Sequence, residues 1–179
     1  MRYLFFNRPL CGTAGSPEAP AGLTLECWHP TLTCPVPPGL ASLPFLLWTG
    51  FHYLGLFATR DYGVVLLRLD GRLVHRTCVL PAYFRVPFMG RRDLQAAGIW
   101  TAEDQRGRGL GLLALQEVLR HWEHPDRVLW YMAHEENQAS LRLAEKAGFR
   151  HCGRGARMKR FGLGLLASYR ITETLTVVP

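Results

Sequence analysis

Hydrophobic and polar positions change period several times along the chain, and each change marks an element. Gly63 to Leu69 and Leu73 to Leu80 are β-rich runs joined by Asp70-Gly71, the dipeptide a type I′ turn favours, so they predict a hairpin. Leu94 to Thr101 is mostly apolar and uncharged, as a buried strand is. Leu112, Leu115, Leu119 and Trp122 then recur at helical spacing and predict a helix over Gly111 to His121. Arg127 to Ala133 predicts a compact strand, and Asn137 to Ala147 a helix that stops at Gly148. Ala167 to Thr172 and Leu175 to Val178 predict strand pieces in a basic, glycine-rich last region. Upstream, Cys11 to Leu40 is dense in proline, glycine, serine and threonine and reads as irregular cover with one short strand at Leu23 to Trp28. Pro81 to Arg92 reads as a loop. The longest apolar tract, Leu43 to Ala58, contains His52 and two glycines and falls short of the roughly 20 residues that span a bilayer. It predicts a buried helix, with interfacial anchoring through Trp48, Phe51 and Tyr53 as the alternative.

An antiparallel hairpin, then strand-helix-strand-helix, then more strands predicts an α/β (α+β) fold with a mixed central sheet and helices on its faces. At 179 residues and 48% hydrophobic composition the chain is expected to close one core as a single domain. Residues 1–62 would be an irregular part with a helix, 63–149 the core and 150–179 C-terminal strands.

Charge narrows the partners. The net charge is +7, and only Lys146 and Lys159 are lysine. Arginine prefers forked contacts with phosphate and carboxylate, so acidic small molecules, nucleic acid and anionic membrane are the classes to weigh. Five widely spaced cysteines without a Cys-x-x-Cys pair argue against a disulfide framework and fit a reducing cytoplasm. Cys27, His29 and Cys34 lack a second ligand pair nearby, so no metal is expected; His121 and His124 read as a solvated helix end. The apolar run Tyr3 to Phe6 is too short for a signal-peptide core.

The segment Gln105-Arg106-Gly107-Arg108-Gly109-Leu110-Gly111, between the predicted strand and helix, carries the clearest chemistry. Glycines let successive backbone N–H groups converge, and a helix start adds positive potential, so the turn suits a phosphate-bearing guest. Its spacing is neither the dinucleotide Gly-x-Gly-x-x-Gly nor the nucleoside-triphosphate Gly-x-x-x-x-Gly-Lys-Ser/Thr. A plain strand-to-helix turn is the simpler alternative.

Arg106-x-x-Gly109-x-Gly111, followed by Asn137-x-x-Ser140 and Lys146-Ala-Gly148-Phe149, resembles the two signatures of the GNAT superfamily of acyl-CoA-dependent N-acetyltransferases, in order, over roughly Gly63 to Phe149. The resemblance implies a GNAT-type mixed central sheet with splayed middle strands, the strand at Leu94 to Thr101 parting from that at Arg127 to Ala133. It implies acetyl-CoA as donor, with its pantetheine arm along Ile99, Trp100 and Thr101, its pyrophosphate on Arg106, Gly107, Arg108, Gly109, Leu110 and Gly111, and Asn137 and Ser140 facing it. His75 to Pro81, Phe84 to Met89 and Asp93-Leu94 are also similar to GNAT members encoded with bacterial surface-polysaccharide enzymes. The implied acceptor is then a small molecule's primary amine, preferably on an amino sugar or nucleotide-linked amino sugar.

N-acetylation needs orientation, a proton sink, oxyanion stabilisation and protonation of a thiolate. His75 is the first candidate base, with Glu103 and His134 next; each also has a plain structural reading. A backbone N–H around Gly98 to Trp100 would serve the oxyanion. The strand lacks the family's usual glutamate, and Ala144 stands where many members carry a tyrosine, so water or Tyr131 would carry protons instead. The alternatives are acetylation of a protein N-terminus or lysine, and a non-catalytic acyl-CoA-binding or membrane-attached accessory. Arg150, His151, Arg154, Arg157, Lys159 and Arg160 occur with no acid between Glu145 and Glu173; a solvated hairpin face is the plain alternative, and an acidic or phosphate-bearing acceptor or membrane contact is favoured over nucleic acid. A cytoplasmic protein, a homodimer and peripheral membrane contact complete the expectations.

Overall fold

The computed structural model describes residues 2–11, 20–40, 43–160 and 163–175. Eight strands form one mixed sheet: β1 (Arg2–Pro9), β2 (Leu23–Trp28), β3 (Gly63–Leu69), β4 (Arg72–Pro81), β5 (Leu94–Thr101), β6 (Val128–His134), β7 (Arg150–Arg160) and β8 (Leu163–Thr174), in the order β2-β3-β4-β5-β6-β1-β7-β8. The helices are α1 (Leu43–Tyr53), α2 (Leu110–His121) and α3 (Gln138–Lys146). Strand neighbours alternate sides, so each sheet face has its own core. Val65, Leu67 and Val79 pack with Leu115, Val118 and Leu119 of α2. Val64, Leu66 and Leu80 turn the other way, onto Phe45 of α1, Phe57 and Tyr62. Helices on both faces are thus observed. The Asp70-Gly71 hairpin is present, with φ of 48° and 80° at its two residues.

All pairs are antiparallel except β5 and β6, which run parallel and pair over only Leu94 to Ala96 with Leu129 to Tyr131. Beyond that point β5 stays with β4 through Arg76 opposite Trp100 and His75 opposite Thr101, while β6 stays with β1. The two middle strands therefore part, each held by its outer neighbour. Between Cys78 opposite Ala97 and Arg76 opposite Trp100 the register shifts by one, so Gly98 and Ile99 oppose Thr77 alone. Gly98 takes φ 56°, as such a bulge requires.

Three expectations need correction. The N-terminal part is more regular than expected: among its described residues β1 lies inside the sheet, between β6 and β7. Its Phe5 and Phe6 are both buried because both faces there are covered, which erases the alternation that would reveal a strand. The basic last region holds the hairpin β7-β8, whose Gly153 and Gly155 let the strands approach where a side chain would meet backbone. In that hairpin Arg154 sits opposite Glu173, so the basic run is partly compensated. Finally, α1 ends at Tyr53, and Leu43, Leu46, Leu47 and Leu54 around it are exposed, so the tract is only half buried. Among the described residues no helix is long and apolar enough to cross a membrane. The strand piece expected at Leu175 to Val178 lies, beyond Leu175, outside the described residues.

Candidate active site

The parting of β5 from β6 opens a cleft of about 610 Å³, roofed by the first turns of α2 and α3. The chain enters it from β5 through a 3-10 turn, Glu103–Gln105, then Gly107 and Gly109 at φ 79° and 80°. Gly109 is the N-cap of α2 and has no side chain to satisfy the helix start. The N–H groups of Leu110, Gly111 and Leu112 lack intrahelical acceptors by geometry and point from the first turn toward the cleft. At Gly111 a side chain would meet Leu143 of α3 at 3.0 Å, so this glycine sets how closely the two helices approach. α3 is capped differently: Asn137 Oδ1 accepts the Ser140 N–H at 3.1 Å.

Of the expected binding residues, Ile99, Trp100, Thr101, Arg106, Gly107, Gly109, Leu110, Gly111, Asn137 and Ser140 line this one cleft. Arg108 does not. The sequence reading missed Ala139, Arg142, Leu143 and Lys146, which share one face of α3 and also line it. Their spacing of three, four and seven from Ala139 is a helical stripe that was available in the sequence. Arg142 and Lys146 bring two cations to the wall opposite the glycine turn. Arg106 makes only a 3.4 Å pair with Glu103, both well exposed, a contact worth little.

The expected catalytic residues are not gathered here. His75 is fully buried beneath the start of α2, with Nδ1 2.8 Å from Thr101 Oγ1 and Nε2 2.9 Å from Thr77 Oγ1. Burial lowers its pKa to about 4, so it stands neutral with both nitrogens engaged and holds Thr101 at the cleft edge. Glu103 is an exposed acid on the approach turn and does not line the cleft. His134 points to the sheet face away from α3, edge-on to Tyr3 at 5.6 Å, with Nδ1 3.7 Å from Glu136. Tyr131 does not line the cleft but lies beneath it. It alternates onto the α3 side of β6, is 2% exposed, and hydrogen-bonds with Ser140, a lining residue. Burial raises its hydroxyl pKa, the Ser140 bond offsetting part of this, so it stays protonated.

Arg76 adds a feature that spacing did not reveal. Its guanidinium lies 5.0 Å from the Phe45 ring and 5.8 Å from that of Trp100, a lining residue, and its buried Nε has no hydrogen-bond partner. Among the described residues no ion pair involves it. A separate open cavity of about 410 Å³ lies between Gly55 to Ala58 and the Ala82 to Arg91 segment.

Residues 81–150 match the family model of the acetyltransferase (GNAT) domain. No curated protein matches the chain. Among solved structures it is similar to a GNAT-family protein of Novosphingobium aromaticivorans, with 19% identity, TM-score 0.51, and 86% of this chain and 60% of that one covered. A GCN5-related N-acetyltransferase from Sphaerobacter thermophilus gives 18%, TM-score 0.54, and 86% and 49%. AAC(6′)-Iy in complex with the bisubstrate analogue CoA-S-monomethyl-acetylneamine gives 12%, TM-score 0.55, and 77% and 97%. The chain thus spans less than two thirds of the first two, and these likenesses concern the fold. The mixed sheet with its helices has the GNAT fold, and residues 81–150, which carry the glycine turn, α2 and α3, are similar to the GNAT acetyltransferase domain, a kind of domain whose acyl donor is acetyl-CoA.

Proposed function

We propose that the chain is an acetyl-CoA-dependent N-acetyltransferase acting on the primary amine of a small molecule, with a phosphate-bearing amino sugar the preferred class. The observation that carries this reading is the meeting of two helix N-termini, those of α2 and α3, on one cleft beside the freed edge of β5. Both helix dipoles present their positive ends there, one of them without a side-chain cap. Arg106, Arg142 and Lys146 add charge on the rim. That donor set fits a diphosphate, and the unpaired backbone of β5 past Ala96 fits the amides of a pantetheine arm.

The bound donor supplies a thioester carbonyl; the remaining work falls to the chain. The bulge at Gly98-Ile99 turns backbone N–H groups out of the β4 ladder, where one of them stabilises negative charge on that carbonyl. Tyr131, protonated and tied to Ser140, is the candidate proton donor to the departing thiolate, in place of the residue missing at Ala144. Phenylalanine at Tyr131 is expected to lower kcat by about tenfold or more with little change in KM for acetyl-CoA. A kcat within twofold of wild type would assign that proton to water.

No lining side chain is a ready general base. Turnover is therefore expected to climb with pH along the acceptor amine's own ionisation, without a histidine-like step near pH 6.5. Rate profiles for two acceptors of different amine pKa check this: a common inflection would reveal a base in the protein.

Arg76 favours an anionic acceptor, because an unpaired guanidinium between two rings beside the cleft suits phosphate or carboxylate. Arg76→Gln is expected to raise KM for a phosphorylated amino sugar about tenfold, roughly 1.4 kcal/mol, and to leave that for the unphosphorylated sugar unchanged. Equal effects on both would remove Arg76 from acceptor recognition. The reading as a whole is tested by titrating acetyl-CoA calorimetrically and following CoA release with a panel of amines.

A second reading, an acyl-CoA-binding accessory at a membrane surface, is favoured by the exposed leucines of α1. Acetyl-CoA binding without turnover, together with flotation on anionic vesicles, would support it over the first.

A further inference from the structure

We infer that Cys27, His29, Glu117 and His121 form a site for a divalent transition metal of the zinc class, joining β2 to the C-terminal end of α2. Sequence spacing pointed away from it, because the residues come from segments about 90 positions apart. Folding gathers them. One ligand atom each of Cys27, Glu117 and His121 lie within 4.8 Å of one another. Cys27 Sγ is 3.5 Å from Glu117 Oε1, and His29 Nε2 is 3.0 Å from His121 Nε2, with the two rings stacked. Ligand atoms around a tetrahedral ion with bonds of about 2.0 to 2.3 Å stand roughly 3.3 to 3.8 Å apart, so Cys27, Glu117 and His121 need small side-chain adjustments to close, and His29, placed by its contact with His121, a larger one.

The surrounding contacts are those that ligands need. His29 Nδ1 lies 3.2 Å from the Tyr62 carbonyl oxygen, so it carries the proton and leaves Nε2 with a free lone pair. Arg120 donates to Glu117 from Nε at 2.9 Å and from its terminal nitrogen at 2.5 Å, which fixes the carboxylate and balances its charge. Burial raises the Glu117 carboxyl, but the hydrogen bonds from Arg120 and Cys27 outweigh it and leave it ionised. Burial first, and then the neighbouring His29, lower the His121 pKa, so this imidazole is neutral at pH 7. Cys27 is a thiol held protonated by burial and by Glu117, to which it donates. Ion binding releases that proton to solvent and moves the His121 ring proton from Nε2 to Nδ1, leaving thiolate, carboxylate and two neutral rings around M²⁺. Cys27 is half-buried and His121 exposed, which gives the ion a way in. Cys34, by contrast, accepts the Trp28 indole N–H and is not part of the group.

The site is remote from the cleft, so its readout is independent of acetylation. Trp122 reports on it: its ring is 4.5 Å from His121 and 5.3 Å from His29. Co²⁺ titrated into the untagged, reduced protein at pH 7.5 is expected to bind one to one. It should give tetrahedral visible bands and a near-ultraviolet thiolate-to-cobalt band, and quench Trp122 emission; Zn²⁺ should displace the cobalt, bleach these bands and raise Tm. Cys27→Ser should remove the thiolate band, and His121→Ala should weaken Co²⁺ binding at least tenfold with the apo Tm little changed. Absence of the thiolate band in wild type, or bands that survive both substitutions, would overturn the proposal and leave two imidazoles sharing one proton.

Discussion

Gly109→Asp is expected to weaken acetyl-CoA binding by about 100-fold, roughly 3 kcal/mol, without weakening the fold. Gly109 has φ 80°, and a Cβ there would meet nothing within 4 Å, so the new side chain is accommodated at the cleft rim. A left-handed conformation costs most L-residues about 1–2 kcal/mol, but aspartate tolerates it better. At an N-cap its carboxylate also accepts from the first-turn N–H groups that now have no protein acceptor. The substitution thus stabilises α2 while occupying the donors and reversing the charge that a diphosphate would meet. Gly109→Asn separates the two effects: it offers the same cap without the charge and is expected to cost less affinity. Calorimetry on the three proteins checks this, with Tm measured alongside. An aspartate variant within threefold of wild-type affinity would place the diphosphate elsewhere.

His75 carries the second large effect, through stability and not through proton transfer. Its folded pKa of about 4 lies below the unfolded value near 6.5, so the folded state binds fewer protons and protonation favours unfolding. The contribution is complete above the unfolded pKa and is lost as pH falls from about 6.5 toward 4. Between pH 7 and pH 5 the loss amounts to about 2 kcal/mol. Urea unfolding at the two pH values should show this in the wild type. His75→Gln is expected to abolish most of that slope while lowering stability at pH 7. It should also raise KM for acetyl-CoA, because His75 positions Thr101 at the cleft edge. Normal stability with a large loss of kcat alone would return His75 to the role of base.

Much of the candidate cleft was legible because its parts are local. The order strand, glycine turn, helix places Arg106 to Gly111 without knowledge of any distant residue, and Asn137 to Ser140 follows the same logic one strand later. Arg142, Leu143 and Lys146 were visible too, as a helical stripe, yet a stripe does not say what it faces. The proton-handling residues were not legible. A histidine on the right strand has the right chemistry, but whether its nitrogens meet substrate or two threonines depends on side-chain depth. Strand alternation gives the face of the sheet; it does not give burial.

Composition and period alone determined the hairpin, the two helices over the cleft and the glycine turn between them, because neighbouring residues fix backbone conformation and the apolar side of each element. Only the tertiary structure decided that Arg2–Pro9 lies within the sheet, that His75 is sealed away and that Tyr131 reaches Ser140. It alone brought Cys27 and His29 against Glu117 and His121. Those outcomes depend on contacts between segments far apart in the chain, and the energy of such contacts is set by packing and exclusion of water at the closed sheet, which no local pattern records.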